Sequence, residues 1–196
     1  MNKNRVEAFT DAIIAIIATI MVLEFKTPTS YGLDGIIEEL PYLFAYGTSF
    51  FFILVAWYNH HYMFALIERV TKKVYWLNNL WLFTMSLLPV STAWVGRFVD
   101  KAIPEWFYFF TVFIWTLAYI WLTLAIVADL KQTNQAKAQK VLNMPAIKFL
   151  SSWYVMLTSV IVLIAVAFFP PIVLIMTILE LISMAILTPA DSDRVA

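Results

Sequence analysis

Residues 4–28 read NRVEAFTDAIIAIIATIMVLEFKTP, and the reading of this stretch decides how the rest of the chain is understood. From Val6 to Phe25 it is apolar and long enough to cross a bilayer, since about 20 helical residues at about 1.5 Å each cover about 30 Å of hydrocarbon. Yet it carries Glu7, Asp11 and Glu24. Ionisable groups inside a membrane helix face protein or water and mark a pathway or a structural ion pair. Turned at about 100° per residue, Phe9, Ile13, Ile16, Ile20 and Leu23 fall on one stripe with Ala12 and Thr19 on its flank. Glu7 and Asp11 point to the other side. Two readings of the stripe stand: it lines something, with Asp11 anchoring the helix to its own subunit, or it packs on lipid and other helices as any membrane helix does.

Composition sets the class. Of 196 residues 62% are hydrophobic and only 13% charged, more apolar surface than a soluble core of this size can hide. The expectation is an all-α, polytopic membrane protein, with no soluble domain on either side and no cleavable leader ahead of the first span. There are no cysteines, which excludes disulfides, thiolate metal sites, haem attachment and a cysteine nucleophile.

Five further apolar stretches follow, so that six spans are expected at about 6–25, 42–64, 74–95, 106–128, 149–169 and 172–187. Between the first two, residues 27–41 contain Pro28, Gly32 and Gly35, and the spacing of Leu33, Ile36, Ile37 and Leu40 predicts a short interfacial helix. The second span ends in the polar cluster Trp57, Asn59, His60 and His61. In the third, Pro89 is expected to bend the helix, with Ser and Thr hydroxyls serving the freed carbonyls. The aromatic start of the fourth reads as an interfacial belt. Residues 129–146 read as a polar linker, Pro170 and Pro171 as the turn into the sixth span, and residues 188–196 as a disordered tail. No internal repeat is visible.

Six spans place both termini on one side. Ten of the thirteen Lys and Arg residues lie on that side and only Lys26, Arg97 and Lys101 on the other, which makes the termini cytoplasmic in a multi-pass protein of the cell membrane. The outer side gathers Glu24, Asp34, Glu38, Glu39, Asp100 and Glu105, an excess of acid that attracts cations.

The candidate chemistry is sparse. His60 and His61 are adjacent and diverge by about 100° on a helix, so they do not form a zinc pair, and no metal site or cofactor is expected. At least one of them is expected to bond a buried acid, with Asp11 the leading partner; Trp57, four residues before His61, can bring an indole N–H to the same network. No nucleophile elbow, P-loop, dinucleotide fingerprint or basic stripe occurs, so neither an enzyme nor a nucleic-acid binder is expected. Four glycines do not build a carbonyl-lined filter loop, so in a channel side chains would have to select. Glu180 in the sixth span is read either as a hydrogen-bonded interhelical acid or as a proton-titrating site.

The run Arg5, Val6, Glu7, Ala8, Phe9, Thr10, Asp11 resembles the Arg-x-x-x-Phe-Ser-Asp signature of the transmembrane protein 175 family of potassium channels, in particular its prokaryotic branch. Thr19, Leu23, Glu24 and Pro28, the Trp57 to His61 cluster, and Ser86, Leu87, Leu88 and Pro89 leading to Gly96 and Arg97 extend the resemblance along the chain. Thr10 replaces the usual Ser and keeps the hydroxyl. Animal members look like two six-span units in one chain. One unit per chain implies a homotetramer around a single pore in the lipid bilayer.

The resemblance further implies that the first helix lines that pore, with Ile16 the narrowest ring and Thr19, Ile20 and Leu23 the next rings outward. It assigns Arg5 and Asp11, with Trp57, Asn59 and a histidine of the His60 and His61 pair, to a structural polar network that does not coordinate ions. An apolar ring supplies no oxygen in place of shed water, and potassium sheds water more readily than sodium, so moderate potassium selectivity and low conductance are expected. A proton-coupled carrier using Asp11, His60 or His61 and Glu180 is the competing reading, although paired inverted repeats are not evident. A membrane scaffold without transport is the third.

Overall fold

The computed structural model describes residues 2–28 and 30–187; the tail expected at 188–196 lies outside the described residues. Nine helices and no strands occur among the described residues: α1 (Lys3–Leu23), α2 (Leu33–Leu66), α3 (Lys72–Met85), α4 (Leu88–Arg97), α5 (Ala102–Thr133), α6 (Gln135–Leu142), α7 (Pro145–Leu150), α8 (Trp153–Ala165) and α9 (Ile172–Leu187). Helices α1, α2 and α5 are long and apolar enough to cross a membrane, whereas α8 and α9 are shorter and apolar.

Apolar periodicity and proline placement account for most boundaries. At Ser86 and Leu87 one helix gives way to the next because Pro89, in the first turn of α4, has no N–H to continue the α3 ladder. The Ser86 Oγ donates to Phe83 O at 2.7 Å, and Ser91 Oγ to Leu88 O at 3.0 Å, so these hydroxyls bond carbonyls beside the bend and not that of Met85, the one Pro89 frees. Pro41 acts differently. The short interfacial helix expected before it is continuous with the next segment, and α2 runs unbroken from Leu33 through Pro41 to Leu66. A proline removes one ladder bond, and apolar packing on both sides of it holds the helix together.

The stretch read as a polar linker is also helical. Val127, Leu130, Ala138 and Val141 are buried at helical spacing, and the Asn134 side chain accepts from Lys137 N at 3.1 Å to start α6. One acid counted on the outer surface is not there: Glu105 is fully buried in α5, with the amide of Leu174 in the first turn of α9 facing it.

In the bundle α5 packs against α3, α4, α6 and α9, and α2 against α1, α4 and α9. Helix α1 lies on one side, held by α2, α3 and α4. A hydroxyl chain joins three of the central helices: Thr92 Oγ1 donates to Ser49 Oγ at 2.7 Å, and Ser49 Oγ meets Tyr108 Oη at 2.9 Å.

The crossing of α2 and α4 depends on Gly96. A Cβ there would stand 2.9 Å from Tyr42 Cα and 3.2 Å from Ala45 Cβ, whereas one at Gly47 would meet nothing within 4 Å. Gly96→Ala is therefore expected to destabilise by roughly 1–3 kcal/mol through overpacking. Gly47→Ala should be neutral or stabilising by up to about 1 kcal/mol. Melting temperatures of the detergent-solubilised variants check the contrast.

Candidate pore helix and its polar ties

Helix α1 has two faces. Val6, Thr10, Ile14, Ile17 and Met21 are buried against α2, α3 and α4, while Phe9, Ile16, Ile20 and Leu23 are 50%, 55%, 42% and 78% exposed. Thr19 and Ala12 lie exposed beside them, and Ile13, grouped with the stripe by periodicity, is partly buried at its edge. The Thr19 hydroxyl donates back into its own helix, 2.8 Å from Ala15 O and 3.1 Å from Ile16 O.

Polar contacts fix which face is turned inward. At the amino-terminal half, His60 Nε2 donates to Asn78 Oδ1 at 2.8 Å and Asn78 Nδ2 donates to Thr10 Oγ1 at 2.8 Å, joining α2, α3 and α1 in one buried chain. The His60 ring is clamped between Phe64 and Trp81, with centroids 4.1 and 4.7 Å away. Beside this chain Trp57 Nε1 donates to Asp11 Oδ1 at 2.8 Å, and the Trp57 ring stacks on His61 at 5.7 Å. At the carboxyl-terminal end Tyr42 Oη donates to Met21 O at 2.6 Å. Arg97 closes that end, donating to Glu24 O at 3.0 Å and lying 3.5 Å from Glu24 Oε2.

The residues grouped by the sequence reading thus divide. Asp11 and Trp57 meet directly, and Asp11 is exposed on the helix flank, not buried. His60 is bound to Asn78. Asn59 does not reach α1: its Nδ2 donates to Val55 O at 2.9 Å within α2. Arg5 is exposed on the first turn, with no hydrogen bond or ion pair among the described residues. Asn78, Tyr42 and Arg97 are ties that sequence reasoning misses. An isolated Asn or Tyr in an apolar span is the available signal, but nothing in the sequence names its partner.

No group of three or more His, Asp or Glu side chains among the described residues is placed to hold a metal. What the arrangement offers is a mechanical device: a helix locked in rotation, presenting a continuous apolar face that its own chain leaves uncovered.

Bundle, spans and ties define an all-helical integral membrane protein, and comparison with known proteins narrows the class. The family model described as "Endosomal/lysosomal potassium channel TMEM175" matches residues 5–89. A potassium channel of a Chryseobacterium species is 42% identical over 96 residues, covering 49% of this chain and 50% of that protein. A potassium channel of Streptomyces collinus is 36% identical over 106 residues, covering 52% of each chain. The chicken protein named endosomal/lysosomal proton channel TMEM175 is 31% identical over 117 residues, covering 54% of this chain and 23% of that one. The alignments thus span about half the length of the bacterial relatives.

The crystal structure of a lysosomal potassium-selective channel TMEM175 homolog from Chamaesiphon minutus superposes with a TM-score of 0.73 at 21% identity. It covers 94% of this chain and 96% of that one. The fold is therefore shared over nearly the whole length. Residues 5–89 of the chain are thus similar to the TMEM175 family. The relatives described are channels, not enzymes.

The ties differ in burial, and their removal should differ in cost. Asn78→Leu leaves both Thr10 and His60 without a buried partner and is expected to destabilise by about 1–3 kcal/mol. Trp57→Phe removes one bond to an exposed carboxylate and should cost less than about 1 kcal/mol. Thermal unfolding in detergent ranks the two; the reverse order would mean that the Thr10–Asn78–His60 chain does not hold α1.

Proposed function

We propose that this chain is one subunit of a potassium-selective cation channel that conducts passively. Four copies surround one axis in the cell membrane, each contributing six spans with both termini in the cytoplasm. Helix α1 lines the axis, with Ile16 as the narrowest hydrophobic ring and Thr19, Ile20 and Leu23 widening outward from it. Asp11, Trp57, His60 and their neighbours serve as structural groups.

The observation that carries this reading is the uncovered face of α1. Polar ties over its whole length turn Val6, Thr10, Ile17 and Met21 inward and leave Ile16, Ile20 and Leu23 outward, so the exposed stripe is held at a set angle. A face that only met lipid would need no such precision of rotation. The bacterial relatives named potassium channels and the potassium-selective structural neighbour supply the ion. An apolar constriction selects by the cost of shedding water and closes when it dewets.

Vertebrate relatives are named proton channels, which makes proton permeation the second outcome to measure. For the carrier reading, a relay through Asp11, His60 or His61 and Glu180 would need continuous hydrogen bonds. Among the described residues none joins Glu180 to the His60–Asn78–Thr10 chain.

Reconstituted protein in liposomes is expected to pass potassium faster than sodium, down the gradient only, and as a particle of four times the 22.6 kDa chain mass. Ile16→Asn should raise potassium flux by roughly tenfold and narrow the preference over sodium, since one polar group per ring removes about 1.4 kcal/mol or more of the dewetting barrier. Unchanged flux and selectivity in Ile16→Asn would place the constriction elsewhere. Uphill potassium movement driven by a proton gradient would replace the channel with a carrier.

A further inference from the structure

Helix α1 ends at Leu23, the outermost residue of its uncovered stripe, and Glu24 follows as its cap. The guanidinium of Arg97, the last residue of α4, reaches Glu24 twice through one nitrogen: Nη2 lies 3.0 Å from the main-chain oxygen and 3.5 Å from Oε2. The main-chain oxygen is the closer partner. Arg97 thus holds the helix end chiefly by its backbone, while the carboxylate leans on the same cation at longer range. Both side chains stay partly open, Glu24 at 47% exposure and Arg97 at 37%.

The residues on either side of Glu24 are fixed as well. Met21 O accepts from Tyr42 Oη, and the Phe25 ring meets Tyr42 edge-on with centroids 5.4 Å apart. Glu24 therefore sits between two held positions and is not the tip of a free loop.

On the reading that α1 lines the axis, on which this inference rests, Glu24 stands one residue beyond the last apolar ring, with Arg97 against it. The final carbonyls of a helix carry partial negative charge, which makes a cation a natural partner for that end. The same cation is costly at the entrance of a cation pathway, because it lowers the local concentration of the ions that must enter, whereas a fixed carboxylate raises it. We infer that Glu24 is a cation-recruiting residue at the outer mouth, and that Arg97 is the positioning residue that holds the mouth in shape while Glu24 offsets its charge.

The other charges on this side are less directly tied to α1. Lys101 is paired with Asp100 at 2.6 Å, Lys26 lies on the exposed connection, and Asp34, Glu38 and Glu39 belong to the first two turns of α2.

Potassium flux through the intact assembly in liposomes tests the assignment, provided it is measured at two salt concentrations. At about 10 mM KCl, where a charge acts over about 30 Å, Glu24→Gln is expected to lower flux several-fold and Glu24→Lys to lower it further. At about 1 M KCl, where that reach falls to about 3 Å, both should approach the unsubstituted protein. The double variant Glu24→Gln, Arg97→Gln removes both charges, so its low-salt flux should recover above that of Glu24→Gln alone. A purely structural role predicts the reverse, since the double variant loses both partners. Glu24→Gln and Glu24→Lys leave the Arg97 bond to the main-chain oxygen in place, so their order decides even if the double variant does not assemble. Equal low-salt flux in all of them, or losses that persist at high salt, would overturn the assignment. An unsubstituted protein that passes no potassium would instead remove the channel reading itself.

Discussion

Rotation of α1 about its own axis is the constraint on which the arrangement depends. Thr10 and Met21 are eleven residues apart, close to three full turns, so the bonds from Asn78 and Tyr42 hold the same side of the helix at points about 16 Å apart. Asp11 and Glu24 add lateral holds from Trp57 and Arg97. In a bilayer no hydrophobic force distinguishes one apolar face from another, because lipid tails and leucines are equivalent surroundings. Polar bonds are then the means by which a helix rich in Ile and Ala acquires an inside and an outside.

Such bonds are individually modest in membranes, worth about 1 kcal/mol or less in many cases, and their effect here comes from being joined. The Thr10–Asn78–His60 chain links three helices, and the Thr92–Ser49–Tyr108 chain links α4, α2 and α5. Between them Phe52, Trp81 and Trp115 pack ring against ring. The bundle is thus specified by two polar layers in an aromatic matrix, while Gly96 sets how closely α2 and α4 approach.

Much of this is legible in the sequence, and the rest is hidden for identifiable reasons. Long apolar runs announce membrane helices because length and hydropathy are local properties, and the bend at Pro89 follows from a missing N–H. The stripe on α1 follows from periodicity alone. The partners do not. Trp57, Asn59, His60 and His61 are close in sequence but point in different directions on a helix, so one reaches Asp11, another Asn78, and Asn59 faces away from α1 altogether. Asn78 lies 68 positions from Thr10. Local pattern carries no information about that pairing. Pro41 and residues 129–146 mislead for the opposite reason: their local signals favour interruption, and tertiary packing overrides them.

The hydrogen of the Thr19 hydroxyl is committed to the carbonyls of Ala15 and Ile16, so the oxygen turns only its lone pairs toward whatever lies beyond the helix. In the pore proposed above, an anion approaching along that face, chloride for instance, would find no proton to lean on, while an alkali ion regaining its hydration would find electron density that its remaining waters can bond. Sign discrimination of this kind requires no fixed charge: an ordinary alcohol, turned so that it has nothing to donate, suffices.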